Sequence, residues 1–168
     1  IPALSRAEML AAVCVSGTAI GVAGTHGKTT TTTLVALMLG GADGECGFVV
    51  GGDAPGLQAN GAWSHTGLFV VEADESDGSF LRLNPLVAVV TNIEADHLEN
   101  YGGDFNRVKQ AFSEFLHRLP FYGRVMLCVD DAHVRAIIPH VTKPITTYGF
   151  SEEAEVRAAQ KALAAKKW

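Results

Sequence analysis

Residues 19–30, Ala19-Ile20-Gly21-Val22-Ala23-Gly24-Thr25-His26-Gly27-Lys28-Thr29-Thr30, decide how this chain is read. A short apolar run ends in a glycine-rich turn. The turn opens onto a helical pattern, Lys28 to Leu39, carried by Leu34, Val35, Leu37 and Met38 and stopped by Gly40-Gly41. A buried strand, a glycine-rich turn and a helix in that order form the setting of a phosphate-cradling P-loop. The glycines let the backbone close tightly with its N–H groups pointing inward, and the helix N-terminus adds a favourable dipole. Lys28 supplies a positive charge for β- and γ-phosphates, and Thr29 a hydroxyl for Mg2+. Gly24, Thr25, His26, Gly27 and Thr30 complete the expected nucleotide cradle. Val22 stands where the strict GxxxxGK[ST] spacing has its first glycine, so the loop is a variant form. Five consecutive threonines, Thr29 to Thr33, point the same way. β-Branched residues suit a first helical turn poorly unless their hydroxyls are wanted.

Working outward, Ser5 and Glu8 have capping-box spacing at the head of a helix over residues 4–13. Downstream, Phe48-Val49-Val50 reads as a short strand and residues 53–66 as an irregular loop or hairpin. Leu68–Val71 and Leu86–Val90 are unbroken apolar runs, which suit parallel strands covered on both faces. Phe105, Val108, Phe112, Phe115, Leu116 and Leu119 mark an amphipathic helix between His97 and Pro120. Arg124–Val129 is a further strand, residues 131–138 a short helix, and Ile145–Tyr148 the final strand. Strands alternating with helices predict an α/β fold: a P-loop-containing, mostly parallel, doubly wound sheet with helices on both faces.

In such sheets ligands gather at the carboxyl ends of the strands. Two further strand ends are polar. Glu72-Ala73-Asp74-Glu75-Ser76-Asp77 follows one, and Thr91-Asn92-Ile93-Glu94-Ala95-Asp96-His97 follows the next. Glu72, nearest its strand, is the expected Mg2+ ligand. Asn92, Asp96 and His97 are expected additions to the same crevice, and Tyr101, Tyr122 and Tyr148 are read as structural.

Composition bounds the remaining possibilities. The chain has 168 residues, 48% of them hydrophobic, and 18 acidic against 13 basic side chains give a net charge of −5. One globular domain is expected, and not a disordered tail. The acidic balance argues against a nucleic-acid binder. Cys14, Cys46 and Cys128 lack metal-site spacing and are expected as reduced thiols in a cytoplasmic protein. No apolar run reaches the ~20 residues of a membrane span.

In order, AGTHGKTTTT at 23–32, EADESDGSFL at 72–81, TNIEADHLENYGGDF at 91–105, LPFYG at 119–123 and TYGF at 147–150 resemble the Mur ligases. Among them the likeness is strongest to the branch that adds L-alanine to UDP-N-acetylmuramate. The branch that recycles murein tripeptide typically has Tyr where this chain has Ser76. The resemblance implies that ATP phosphorylates the muramoyl carboxylate and that the L-alanine amine attacks the acyl phosphate. It assigns catalytic work to Lys28, Glu72 and His97, with Thr29, Glu72 and His97 as metal ligands and Asn92 beside the nucleotide. Relatives carry an N-terminal UDP-sugar domain, a C-terminal domain and a GxHNxxN segment that are not in this sequence. The expectation is therefore a central ATPase domain, incomplete at its end, with the resemblance fading after Phe150. Such a domain alone would bind phosphate without ligase activity. The competing readings are a folylpolyglutamate synthase-like ligase, a small kinase, a GTPase (without its NKxD segment) and a non-catalytic nucleotide-binding module.

Overall fold

A computed structural model describes residue 3 and residues 5–158 of the chain. The first helix, α1 (Arg6–Val15), starts at the predicted capping box. The Ser5 hydroxyl accepts from the Glu8 amide at 3.2 Å, and the Glu8 carboxylate accepts from the Ser5 amide at 2.7 Å. Strand β1 (Thr18–Ala23) then runs into the glycine turn and α2 (Lys28–Met38), which stops where Gly40 turns left-handed.

β2 (Cys46–Val49) is followed by the stretch expected as an irregular loop or hairpin, and a two-residue strand there, β3 (Gly61–Ala62), pairs back antiparallel on β2 as a hairpin would. β4 (Leu68–Glu72) extends one residue past the predicted end, so Glu72 itself belongs to the strand. Next come β5 (Val87–Val90), α3 (Phe105–His117), β6 (Arg124–Cys128), α4 (Ala132–Ile137) and β7 (Ile145–Gly149). β7 is not the last strand. A two-residue β8 (Val156–Arg157) pairs with it, too short to leave a hydrophobic signature. Residues 159–168 of the Ala/Glu/Lys-rich tail lie outside the described residues.

The described strands form one sheet in the order β3-β2-β4-β1-β5-β6-β7-β8. Every pairing is parallel except β2 with β3. β1 lies in the middle. The chain first builds the β4 side and then crosses to β5, so β1 marks the switch point where the loops diverge and leave a crevice.

Two cores flank the sheet. On one face Phe69 and Val71 of β4 pack with Phe80, Phe112, Phe115, Val134 and Ile137. Phe80 stacks on Phe115 at 5.0 Å and meets Phe112 edge-on at 5.3 Å. On the other face Val70 of β4 packs with Val22, Ala36, Phe48 and Leu57. Neighbouring residues of one apolar strand thus serve opposite cores, which is why these strands do not alternate with polar residues. Cys14 and Cys46 are buried, and burial pushes the Cys14 thiol up to about 11. Among the described residues no helix is long and apolar enough to cross a membrane.

Candidate functional site

The site is built from three neighbouring strand ends. After β1 the backbone needs glycine at two places. Gly24 has φ +143°, and a Cβ there would lie 2.0 Å from Thr91 Oγ1, so a side chain is excluded by both conformation and space. Gly27 has φ +79° and heads α2, where nothing fills the space a Cβ would occupy.

The next strand end braces the loop. The Thr25 amide donates to the Asn92 carbonyl at 3.1 Å, and the Glu94 amide donates to the Thr25 hydroxyl at 2.8 Å. Asn92 grips His26 at two points: its Oδ1 accepts from the His26 amide at 2.8 Å, and its Nδ2 donates to the His26 carbonyl at 2.9 Å. Thr91 Oγ1 donates to the same carbonyl at 2.7 Å. The side chain of Asn92 is therefore engaged with loop backbone, and so are the amides of Thr25 and His26. The first helical bond of α2 runs from the Thr31 amide to the Gly27 carbonyl. The amides of Lys28, Thr29 and Thr30 have no partner within the helix and supply its N-terminal positive end.

Beneath the loop, the Thr29 hydroxyl faces both oxygens of Glu72, at 3.1 and 3.2 Å. The Gly51 amide, at the end of β2, donates to Glu72 Oε2 at 2.8 Å. Glu72 is thereby aimed by a third strand end and is nearly buried. Thr25, His26, Gly27, Lys28, Thr29, Thr30 and Glu72 together line a cavity of about 340 Å³. The donors meeting at Thr29 and Glu72 are oxygens only, the chemistry that suits Mg2+. Among the described residues no three His, Cys, Asp or Glu side chains form a ready cage. A cation held at Thr29 and Glu72 must complete its shell with water or ligand oxygens, as Mg2+ commonly does beside phosphates.

Lys28 does not point into open space. Its Nζ donates to the Gly24 carbonyl at 2.9 Å, to the Thr25 carbonyl at 3.4 Å and to Glu75 Oε2 at 2.8 Å. Glu75 is 3% exposed, and its Oε1 is buried without a partner. Burial raises the Glu75 carboxyl above the ordinary carboxylate range, and the Lys28 hydrogen bond and charge oppose that rise. In the sequence Glu75 stands in the acidic run beside Asp74 and Asp77 with nothing to separate them; the separation comes from which carboxylate the turn buries.

His97 is not among the residues that line this cavity. It is the non-glycine residue with positive φ among the described residues, at +51°. Its ring lies 3.8 Å from Asp96 and 3.7 Å from Glu99. The turn it heads, Leu98–Tyr101, is tied to the acidic segment: Asn100 Nδ2 donates to the Ser76 carbonyl at 2.9 Å, and the Tyr101 hydroxyl donates to the Glu75 carbonyl. Tyr101 thus holds the turn, in keeping with a structural role. Histidine tolerates the left-handed region better than most residues but gains nothing from it. His97→Gly is therefore expected to raise the Tm by up to about 4 °C, from the relief of up to ~1 kcal/mol. Thermal denaturation reads the change, and a fall would mean that the ring's contacts outweigh the backbone strain.

The threonine run divides. Thr29 reaches the site, whereas Thr32 and Thr33 are buried with hydroxyls that bond nothing. Their selection as hydroxyl donors is corrected. They are small β-branched side chains on the buried face of α2.

The family described as Mur ligase middle domain matches residues 22–167. The chain belongs to the Mur ligase family. The Mur ligase match passes Phe150 and reaches the tail, so the expected fading of the resemblance there is corrected. The UDP-N-acetylmuramate–L-alanine ligase of Laribacter hongkongensis is 56% identical over 158 residues, which is 94% of this chain and 34% of that protein. The chain thus spans about a third of the length of such curated Mur ligases. Two solved Mur ligases share the fold. UDP-N-acetylmuramate:L-alanyl-gamma-D-glutamyl-meso-diaminopimelate ligase from Neisseria meningitides matches with a TM-score of 0.80 at 26% identity, over 92% of this chain and 52% of that one. UDP-N-acetylmuramate-alanine ligase MurC from Thermotoga maritima matches with a TM-score of 0.69 at 28% identity, over 85% of this chain and 31% of that one.

Proposed function

We propose that this chain is the ATP-binding middle domain of an enzyme that joins L-alanine to UDP-N-acetylmuramate in peptidoglycan synthesis, working in the cytoplasm through an acyl phosphate. The observation that carries the nucleotide half is the Thr29 hydroxyl facing Glu72 at 3.1 and 3.2 Å beside Lys28, on one cavity wall. The amino-acid half rests on relatives of that name at 54 and 56% identity over 94% of the chain.

Phosphoryl transfer asks the protein for position and charge neutralisation more than for a nucleophile. In this reading the amides of Lys28, Thr29 and Thr30 receive phosphate oxygens at the helix N-terminus, and the Lys28 ammonium neutralises them. Asn92 acts on the nucleotide through the loop it braces. Thr29 and Glu72 would hold Mg2+, and His97 would hold a second cation; when bound, such ions would supply charge neutralisation at the transferring phosphoryl group and the substrate carboxylate. UDP-N-acetylmuramate and L-alanine are gripped with the help of flanking segments such as the relatives carry, so the domain alone is expected to bind MgATP and to form no amide.

A second reading, the tripeptide-adding ligase, is favoured by the higher TM-score, 0.80 against 0.69. Backbone likeness is common to the family, however, while identity tracks the side chains that choose a substrate. The value of 56% weighs more. Phosphate release separates the readings. With ATP and UDP-N-acetylmuramate, the enzyme containing this domain should turn over at least ~10-fold faster with L-alanine than with L-alanyl-γ-D-glutamyl-meso-diaminopimelate. A preference for the tripeptide would support the second reading. Amide formation by the 168-residue chain alone, given ATP, UDP-N-acetylmuramate and L-alanine, would refute its dependence on flanking segments.

A further inference from the structure

We propose that Glu75 is the resting counter-ion of Lys28: a positioning residue that holds the ammonium inside the loop until nucleotide phosphate displaces it, and that takes the ammonium back when product leaves. The inference rests on the nucleotide-binding reading above. An ammonium has three protons, and Lys28 directs them at the Gly24 carbonyl, the Thr25 carbonyl and Glu75 Oε2. The lysine is thus saturated before any phosphate arrives.

Glu75 differs from its neighbours in the acidic run. Its side chain is 4% exposed, whereas that of Asp74, 3.9 Å from the same Nζ, is 40% exposed. The Glu75 backbone is pinned as well, since its carbonyl accepts from the Gly78 amide at 2.9 Å and from the Tyr101 hydroxyl. Its carboxylate therefore cannot follow Lys28 outward by a shift of a loose loop.

Moving Lys28 to phosphate breaks a charge-assisted bond and leaves a buried carboxylate with neither oxygen paired, because Oε1 has no partner to begin with. That penalty subtracts from nucleotide affinity. It also gives Lys28 somewhere to return, which weakens the hold on product. The raised carboxyl is in keeping with this role, since a group already inclined to keep a proton can take one up when its partner leaves.

The test is the affinity of the chain for MgADP, measured by calorimetry at 0.1 and 0.5 M salt for the wild type, Glu75→Gln and Asp74→Asn. Glu75→Gln keeps the shape and an acceptor for Lys28 but loses the charge, so it is expected to bind about 10-fold tighter. The gain should persist at 0.5 M salt, because a buried pair is little screened. Asp74→Asn should change affinity by no more than about 2-fold, and high salt should erase that change. Equal or weaker binding by Glu75→Gln, or a gain that salt removes, overturns the inference while leaving the phosphate site intact. Absence of MgADP binding by the wild type overturns both. Should Glu75→Gln fail to fold, judged by its melting without nucleotide, Glu75→Asp withdraws the carboxylate by one methylene and is expected to tighten binding about 3-fold; no gain there is equally fatal.

Discussion

Gly24→Ala is expected to lower the Tm by about 4–24 °C and to abolish nucleotide binding. The ideal Cβ falls 2.0 Å from Thr91 Oγ1 and 3.2 Å from both the amide nitrogen and the carbonyl oxygen of Asn92, at a φ of +143°. Backbone strain and overpacking each cost roughly 1–3 kcal/mol, and 1 kcal/mol corresponds to ~2–4 °C in a domain of this size. Relief can come only by pushing Thr91 and Asn92 away from the loop. That would break the contacts holding His26 and Thr25, at 2.7 to 3.1 Å, and misplace the cradle. Thr91→Ala removes the atom nearest the new methyl. The double variant Gly24→Ala/Thr91→Ala should therefore regain part of the lost stability although Thr91→Ala alone removes a hydrogen bond. Thermal denaturation of the four proteins checks this, and a double variant as unstable as the sum of the two singles would show that the clash is not the cause.

Lys28→Ala is expected to weaken MgATP binding by about 100-fold or more, the scale set by losing one charged or preorganised donor at a phosphoryl site. It carries a second consequence. Without Lys28, Glu75 is a buried carboxylate with no cationic partner, and breaking such a pair typically costs ~3–5 kcal/mol. Protonation of Glu75 offsets much of this. Its carboxyl is raised by burial even in the wild type and must rise further when the opposing lysine is gone. A carboxyl whose folded pKa lies above its unfolded value binds more protons when folded, so its variant is most stable at low pH and loses stability as pH rises through the folded pKa. The deficit of Lys28→Ala against the wild type should be small near pH 5 and larger near pH 8, and Glu75→Gln in the same chain should remove most of the pH dependence. A deficit that shrinks as pH rises would contradict the buried pair. Titration calorimetry with MgATP reads the binding loss, and unchanged affinity would end the P-loop role of Lys28.

The predictions depend on contacts that differ in how far the amino-acid order reveals them. The loop was legible because its chemistry is local. Gly24, Gly27, Lys28 and Thr29 are neighbours, and a strand–turn–helix setting follows from apolar runs and helix stops alone. The helix start at Ser5 and Glu8 was legible for the same reason, since a capping box is a three-residue interaction. Strand β8 was not. Two residues, Val156 and Arg157, pair with β7 through backbone alone, and no hydrophobic period records that. The hydroxyls of Thr32 and Thr33 were misread because hydroxyl chemistry and the small volume of threonine leave the same letter in a sequence.

The division of the acids shows the same limit at the site. Nearness to the strand end singles out Glu72, but Asp74, Glu75 and Asp77 are alike in the sequence. Packing makes them different. Glu72 ends β4 and meets Thr29 and the Gly51 amide, Glu75 turns inward to Lys28, and Asp77 stays outside, where hydrogen bonding from the Ser79 side chain and then the Ser79 amide holds its carboxyl below the usual range. Asn92, expected beside the nucleotide, has a further task that only the structure shows, clamping the loop at His26.

By itself, then, the sequence determined the α/β order of elements, the position of the phosphate loop and the family to which that loop belongs, because each is written in near-neighbour patterns of apolar, glycine and charged residues. The tertiary structure brought the expected carboxylate, Glu72, onto the threonine, and it alone decided which acid holds the lysine and what braces the loop. Those partners lie 43, 47 and 66 residues apart, and only the crossing of the chain at β1 brings their strand ends together.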